Sequence, residues 1–197
     1  MEIDMDMQFT ETNCTAPSTL GNITEFPLNW PVRSASERGS THELVMNEQF
    51  IFVSGQNMNL VAKLNFQGEV ITYYDMRHGD LDTGPHGLLI DGKGRLWVSL
   101  EFSGEVVRLD EDGNIVQRVD VRIHTNDASG FILNTAPHGI GLDADGESIW
   151  FTGKRTSTIG KISADGTVTH YELATGCFTD ISECRQGNRD LGNRTIR

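Results

Sequence analysis

From residue 41 to residue 173 the chain alternates apolar and polar positions in runs of four to seven residues, and the runs are separated by clusters of aspartate, asparagine and glycine. A period of two marks half-buried β-strands, and Asp or Asn close to Gly supplies the turns of hairpins. In the clearest stretch the pattern predicts four strands: Gly87 to Ile90, Leu96 to Ser99, Val106 to Leu109 and Ile115 to Val121. The turns between the first and last pairs are Asp91-Gly92-Lys93-Gly94 and Asp110-Glu111-Asp112-Gly113. There glycine supplies positive φ and aspartate accepts from nearby amides. No sustained 3.6-residue apolar period with caps occurs between 41 and 173, so helix is not expected there.

The strand pattern repeats. Pro85-His86-Gly87-Leu88-Leu89-Ile90-Asp91 returns as Pro137-His138-Gly139-Ile140-Gly141-Leu142-Asp143, and the strand tryptophans Trp97 and Trp150 keep the same register, with Phe52 in a weaker first copy. A glycine opening the last strand of each unit recurs at Gly21, Gly68, Gly113 and Gly166. Four antiparallel strands every 40 to 50 residues predict an all-β fold, a β-propeller of four-stranded blades. About three blades are present, over 41–76, 85–121 and 137–173, where a closed ring needs roughly four to eight.

The ring is therefore partial, and three arrangements explain it: a fragment of a longer propeller, several copies closing one ring, or an open wedge. The fragment is preferred, because bare apolar blade faces and sheet edges invite aggregation. Outside the blades, residues 1–18 are expected to be disordered, and 19–40 to hold one propeller strand (Gly21 to Leu28) and a linker. Residues 176–197 lack the pattern and form a tail. The connection Arg122 to Ala136 is longer than its counterpart Arg77 to Gly84.

A formal charge of −12 and a pI near 4.8 disfavour nucleic acid and anionic membrane as partners, since both require a cationic surface. A small-molecule or peptide ligand is expected instead, together with missing blades or self-association to close the ring. The start Met1-Glu2-Ile3-Asp4 is acidic where a signal peptide is basic, so a soluble and by default cytoplasmic chain is expected. Cys14, Cys177 and Cys184 fall outside the repeats. Cys177 and Cys184 are close enough in sequence for a disulfide in an oxidising compartment, and equally readable as free thiols.

Blade topology brings the fourth-to-first connections and the second-to-third loops to one end of the ring. His86 and His138 follow such connections, and they are expected to share a rim with Leu100 to Gly104 and Gly153 to Ser157. Imidazole there can accept a proton, donate one or bind a metal. A purely structural role competes, in which Pro starts the strand, Gly admits the neighbouring backbone and His bonds to a carbonyl. Trp97, Trp150 and Phe52 are expected to pack between blades. Asp91, Asp110, Asp143 and Asp165 are read as turn formers at the opposite end.

The run Pro137-His138-Gly139-Ile140, Asp145-Gly146, Ile149-Trp150-Phe151-Thr152, Ile159-Gly160-Lys161-Ile162 and Asp165-Gly166-Thr167-Val168-Thr169-His170-Tyr171 resembles the blade of the virginiamycin B lyase (streptogramin B lyase) family. The likeness covers residues 41 to 175. It implies a seven-bladed propeller that linearises cyclic depsipeptide antibiotics by elimination at the ester, with Mg2+ and a histidine base. His138 would then be the catalytic base and His86 a substrate contact. Glu101, Lys154 and Arg155 are taken as further substrate-binding positions from their place on the rim, where the cationic pair Lys154-Arg155 repels a divalent metal and attracts a carboxylate or phosphate. The family holds its metal with one glutamate just before the catalytic Pro-His and another just after Trp-Phe-x. Those positions are Ala136 and Gly153 here, and neither can ligate magnesium, which takes oxygen ligands. The same resemblance leaves a non-catalytic propeller, binding a ligand or protein on its histidine rim, as the other function.

Overall fold

The computed structural model describes residues 18–31, 40–124, 130–173 and 195–196. The three cysteines, most of the predicted N-terminal and C-terminal segments and most of the Arg33 to Ser40 stretch lie outside the described residues.

The chain opens with a hairpin of β1 (Ser18–Leu20) and β2 (Ile23–Glu25). The first blade is an antiparallel sheet in chain order, β3 (Thr41–Met46), β4 (Ile51–Gly55), β5 (Leu60–Leu64) and β6 (Val70–Asp75). A single 3-10 turn at Gln56–Met58 joins β4 to β5. The second blade follows with β7 (Pro85–Ile90), β8 (Leu96–Leu100), β9 (Glu105–Leu109) and β10 (Ile115–Asp120). The longer connection to the third blade carries a short pair, β11 (Ile123–His124) with β12 (Ile132–Leu133). The third blade is β13 (Pro137–Leu142), β14 (Ile149–Gly153), β15 (Thr158–Ile162) and β16 (Val168–Glu172). A final short strand, β17 (Thr195–Ile196), lies along its outer edge. The all-β fold and four-stranded antiparallel blades are those the apolar alternation predicts. No helix among the described residues is long and apolar enough to cross a membrane.

Apolar side chains meet at the seams between blades. Phe52, Val61, Tyr74 and Met76 of the first blade close against Leu88, Leu96, Val98, Leu100, Val107 and Leu109 of the second. Trp97, Val106, Val119 and Val121 close against Ile149, Phe151 and Ile162 of the third. Phe52 and Trp97 thus lie between blades as expected. Trp150, in the same column, is half-buried on the third blade's far face, with its ring 5.7 Å from Tyr171. No fourth blade covers that face among the described residues.

The N-terminal segment differs from the single strand read in the sequence. β2 pairs with β1 rather than joining a blade, and the chain beyond it leans on the first blade. Trp30 is buried against Val53, Met58, Leu60, Ala62 and Leu64. The Phe26 ring fills the space a side chain at Gly68 would need, as Tyr74 does over Gly113. Two short strands satisfy each other's amides locally, which a lone strand with no described neighbour cannot do.

Candidate functional site

The same irregularity recurs at the start of each innermost strand. Regular pairing is interrupted between Thr41 and Leu44, between Pro85 and Leu88, and between Pro137 and Ile140. His42, His86 and His138 occupy the equivalent position in each interruption. An amide released by the bulge must find another acceptor. The Ser54 hydroxyl accepts from the Glu43 amide (3.0 Å), that of Ser99 from Gly87 (2.8 Å) and that of Thr152 from Gly139 (3.0 Å). Ser54 then donates to the His86 carbonyl and Ser99 to the His138 carbonyl, each at 2.7 Å. In the first two blades one hydroxyl therefore ties its own bulge to the histidine of the next. Gly87 makes this approach possible, because a Cβ there would stand 2.3 Å from the His138 carbonyl oxygen.

The consequence is a row of imidazoles. The His86 and His138 rings are 3.5 Å apart between centroids and tilted by 37°, and His42 lies 4.3 Å from His86 on the other side. His42 is exposed, His86 is buried and His138 is half-buried. Burial, followed by the neighbouring His138 and His42, lowers the His86 pKa to about 4, so its ring is uncharged at neutral pH. Glu43 Oε1 approaches His86 Nδ1 to 3.4 Å. With the ring neutral this is not an ion pair, and Nδ1 is left with no hydrogen-bond partner.

A second row runs beside the first. The amides of Gln56, Glu101 and Lys154, each the first residue after the blade's second strand, bond to the carbonyls of Ser40, Gly84 and Ala136 at the start of the same blade. Their side chains then meet: Gln56 Nε2 donates to Glu101 Oε2 at 2.5 Å, and Lys154 Nζ to Glu101 Oε1 at 2.9 Å. Burial works to raise the Glu101 pKa, but the bond and charge of Lys154 and the bond from Gln56 outweigh it and hold the carboxyl below its ordinary value. The Lys154 side chain is 57% exposed.

The structure thus gathers His86, His138, Glu101 and Lys154 at one rim. Arg155 does not join them: it is exposed, its amide bonds to Thr135 O, and no hydrogen bond or ion pair links its guanidinium to the histidines. His42, Glu43 and Gln56 belong to the same rim and are not among the residues singled out from the sequence. A signal was present, since Thr41-His42-Glu43-Leu44 aligns with Pro85-His86-Gly87-Leu88 at an offset of 44, one less than the 45 that matches Phe52 to Trp97, because the turn between the two strands is one residue shorter in the first blade.

At the positions where the resemblance places magnesium carboxylates, the side chains carry no ligand atom, and a larger one would need its neighbours to shift. Ala136 is 1% exposed with φ of +52°. A Cβ at Gly153 would lie 2.3 Å from Thr158 Oγ1 and 2.7 Å from Thr156 Oγ1. The aspartates read as turn formers do that work at the other end. Asp91 accepts from Trp97 Nε1 (2.8 Å) and Arg95, and Asp143 from Trp150 Nε1 and Lys161 (2.7 Å each). A cleft lined by Asn47, Phe50, Lys63, Tyr74, Arg95 and Arg108 also opens at that end, away from the histidines.

Blades and paired imidazoles together define a β-propeller with a histidine-bearing rim. Its likeness is to virginiamycin B lyase, at low identity. The chain is 32% identical over 90 residues to the virginiamycin B lyase of Nocardia farcinica, a stretch covering 46% of this chain and 28% of that one. Among solved structures, virginiamycin B lyase from Staphylococcus aureus superposes with a TM-score of 0.56 at 22% identity, over 72% of this chain and 43% of that one. A catalytically inactive variant of the same enzyme with quinupristin gives 0.57 at 18% identity, over 72% and 44%. The matches therefore span less than half the length of each relative. No family model matches the chain.

Proposed function

We propose that this chain is the rim-bearing arc of a streptogramin-lyase-like propeller that binds a small cyclic-peptide ligand at His138 and Lys154, without magnesium-assisted elimination. The observation that carries the reading is the closure of the two carboxylate positions. Ala136 is buried and Gly153 is walled by two threonine hydroxyls, so the residues present do not fit the family's magnesium. Elimination at an ester needs charge on the carbonyl oxygen to be stabilised. The rim offers instead a cation, Lys154, already bonded to Glu101. A half-buried imidazole and an exposed ammonium are suited to contacting ligand carbonyls.

A second reading, a carbon-oxygen lyase with His138 as base, is favoured by one feature. His138 is half-buried at the rim and its ring rests 3.5 Å from that of His86, the place a base would take beside a bound ligand. One experiment separates the two. The chain is incubated with quinupristin, with and without Mg2+. Binding is followed by calorimetry and ring opening by chromatography with tandem mass spectrometry, because elimination opens the ring without changing its mass. Binding that weakens in His138→Ala and Lys154→Ala with the ring intact supports the binding reading. Ring opening that disappears in His138→Ala replaces it with the lyase. Absence of binding removes both.

A further inference from the structure

We infer that Glu43, His86 and His138 form a site for a divalent transition cation of the zinc type, distinct from the family's carboxylate positions. One ligand atom from each of the three lies within 4.8 Å of the others. Ligand atoms about 2.1 Å from a tetrahedral ion stand roughly 3.4 Å apart, and Glu43 Oε1 and His86 Nδ1 are separated by 3.4 Å. The His138 ligand nitrogen lies within 4.8 Å of both of the other ligand atoms.

The independent sign of a ligand is His86 Nδ1. Its side chain is 5% exposed, yet the atom has no hydrogen-bond partner, and leaving a buried polar atom unpaired is unfavourable. A cation coordinated by its lone pair removes that cost. The donor set selects the metal: two imidazoles and one carboxylate suit zinc, cobalt and nickel, whereas magnesium takes oxygen ligands and keeps several waters. Local charge agrees, because the carboxylates of Glu43 and Glu101 outnumber the single cation Lys154, which Glu101 already holds.

The site owes its existence to the staggered bulges. Each blade presents its histidine at the same height, and the first blade adds Glu43 where the second and third have Gly87 and Gly139. A carboxylate thus enters the imidazole row from the one blade that departs from Pro-His-Gly.

The test uses the whole chain stripped of metal with a chelator and titrated with Co2+, whose visible absorption reports its ligands. The expected result is one Co2+ per chain, displaced by Zn2+ but not by a large excess of Mg2+. Affinity should fall at least about tenfold in Glu43→Gln and in His138→Gln, and stay unchanged in His124→Ala, which removes an exposed histidine bonded to Asp120. Glu43 is partly exposed, so its variant keeps the fold, as circular dichroism would confirm. No absorption band, equal displacement by Mg2+, or affinity unaltered in both Glu43→Gln and His138→Gln would overturn the assignment. The measurement involves no peptide ligand, so its failure is distinguishable from failure of the binding reading.

Discussion

Ser99 shows how one side chain sets the geometry of the rim. It is fully buried, accepts from Gly87 N and donates to His138 O. Ser99→Ala would strand a buried amide and a carbonyl, at about 1–3 kcal/mol each for groups without water. We expect a lower urea midpoint and a weaker rim, measured as destabilisation together with loss of ligand or Co2+ affinity. Ser99→Thr, which keeps the hydroxyl, should retain more of both. At this scale the sequence was half legible. Pro-His-Gly is a distinctive string and revealed His86 and His138. His42 and Glu43 lack the flanking proline and glycine, so their equivalence shows in the sequence only through the offset alignment and becomes plain in the backbone register. Adjacent positions also part company here: Lys154 and Arg155 are neighbours in sequence, yet of the two only Lys154 bonds to Glu101.

Elements were read well where turn chemistry punctuated them. Asp91 and Asp110 mark hairpins whose strands fall within a residue or two of the expected limits. The N-terminal hairpin was not, since one Gly-Asn turn between three-residue strands carries too little alternation to show two strands. That segment nevertheless covers the first blade through Trp30, whose indole donates to Thr41 Oγ1 (3.3 Å) and lies 5.6 Å from Tyr73. Trp30→Ala should cost about 3–5 kcal/mol, read as a shift in the denaturant midpoint without change of secondary structure. The outer strand of the third blade carries its own acid sensitivity. His170 in β16 is buried beside Phe151, its Nδ1 has no partner, and burial lowers its pKa from the ordinary 6.5. Below that value the unfolded chain binds more protons than the fold, so stability falls as pH drops from about 6.5 toward the folded pKa. Replacing it by leucine should flatten the stability profile in that window and leave it unaltered above pH of about 7.5.

For the molecule as a whole, apolar area and charge act against each other. The third blade leaves Trp150 half-buried and Leu142, Tyr171 and Leu173 exposed on its open side and edge, while a charge of −12 keeps copies apart at low ionic strength. Salt screens that repulsion over about 10 Å at 0.1 M. We therefore expect the sedimentation coefficient to rise with added salt, and Trp150→Glu to abolish the rise; a value independent of salt would show that this face does not drive association. The number of blades followed from the period of the repeat, whereas what covers the outermost faces is a property of neighbours, on which a repeat pattern is silent.

The serine that ties one wedge to the next has a wider meaning. The angular step between successive imidazoles is fixed joint by joint, as links fix the pitch of a chain, and owes nothing to closure of a circle. The register of His86 and His138 is thus held by contacts local to their own joint, through Ser99 and Gly87.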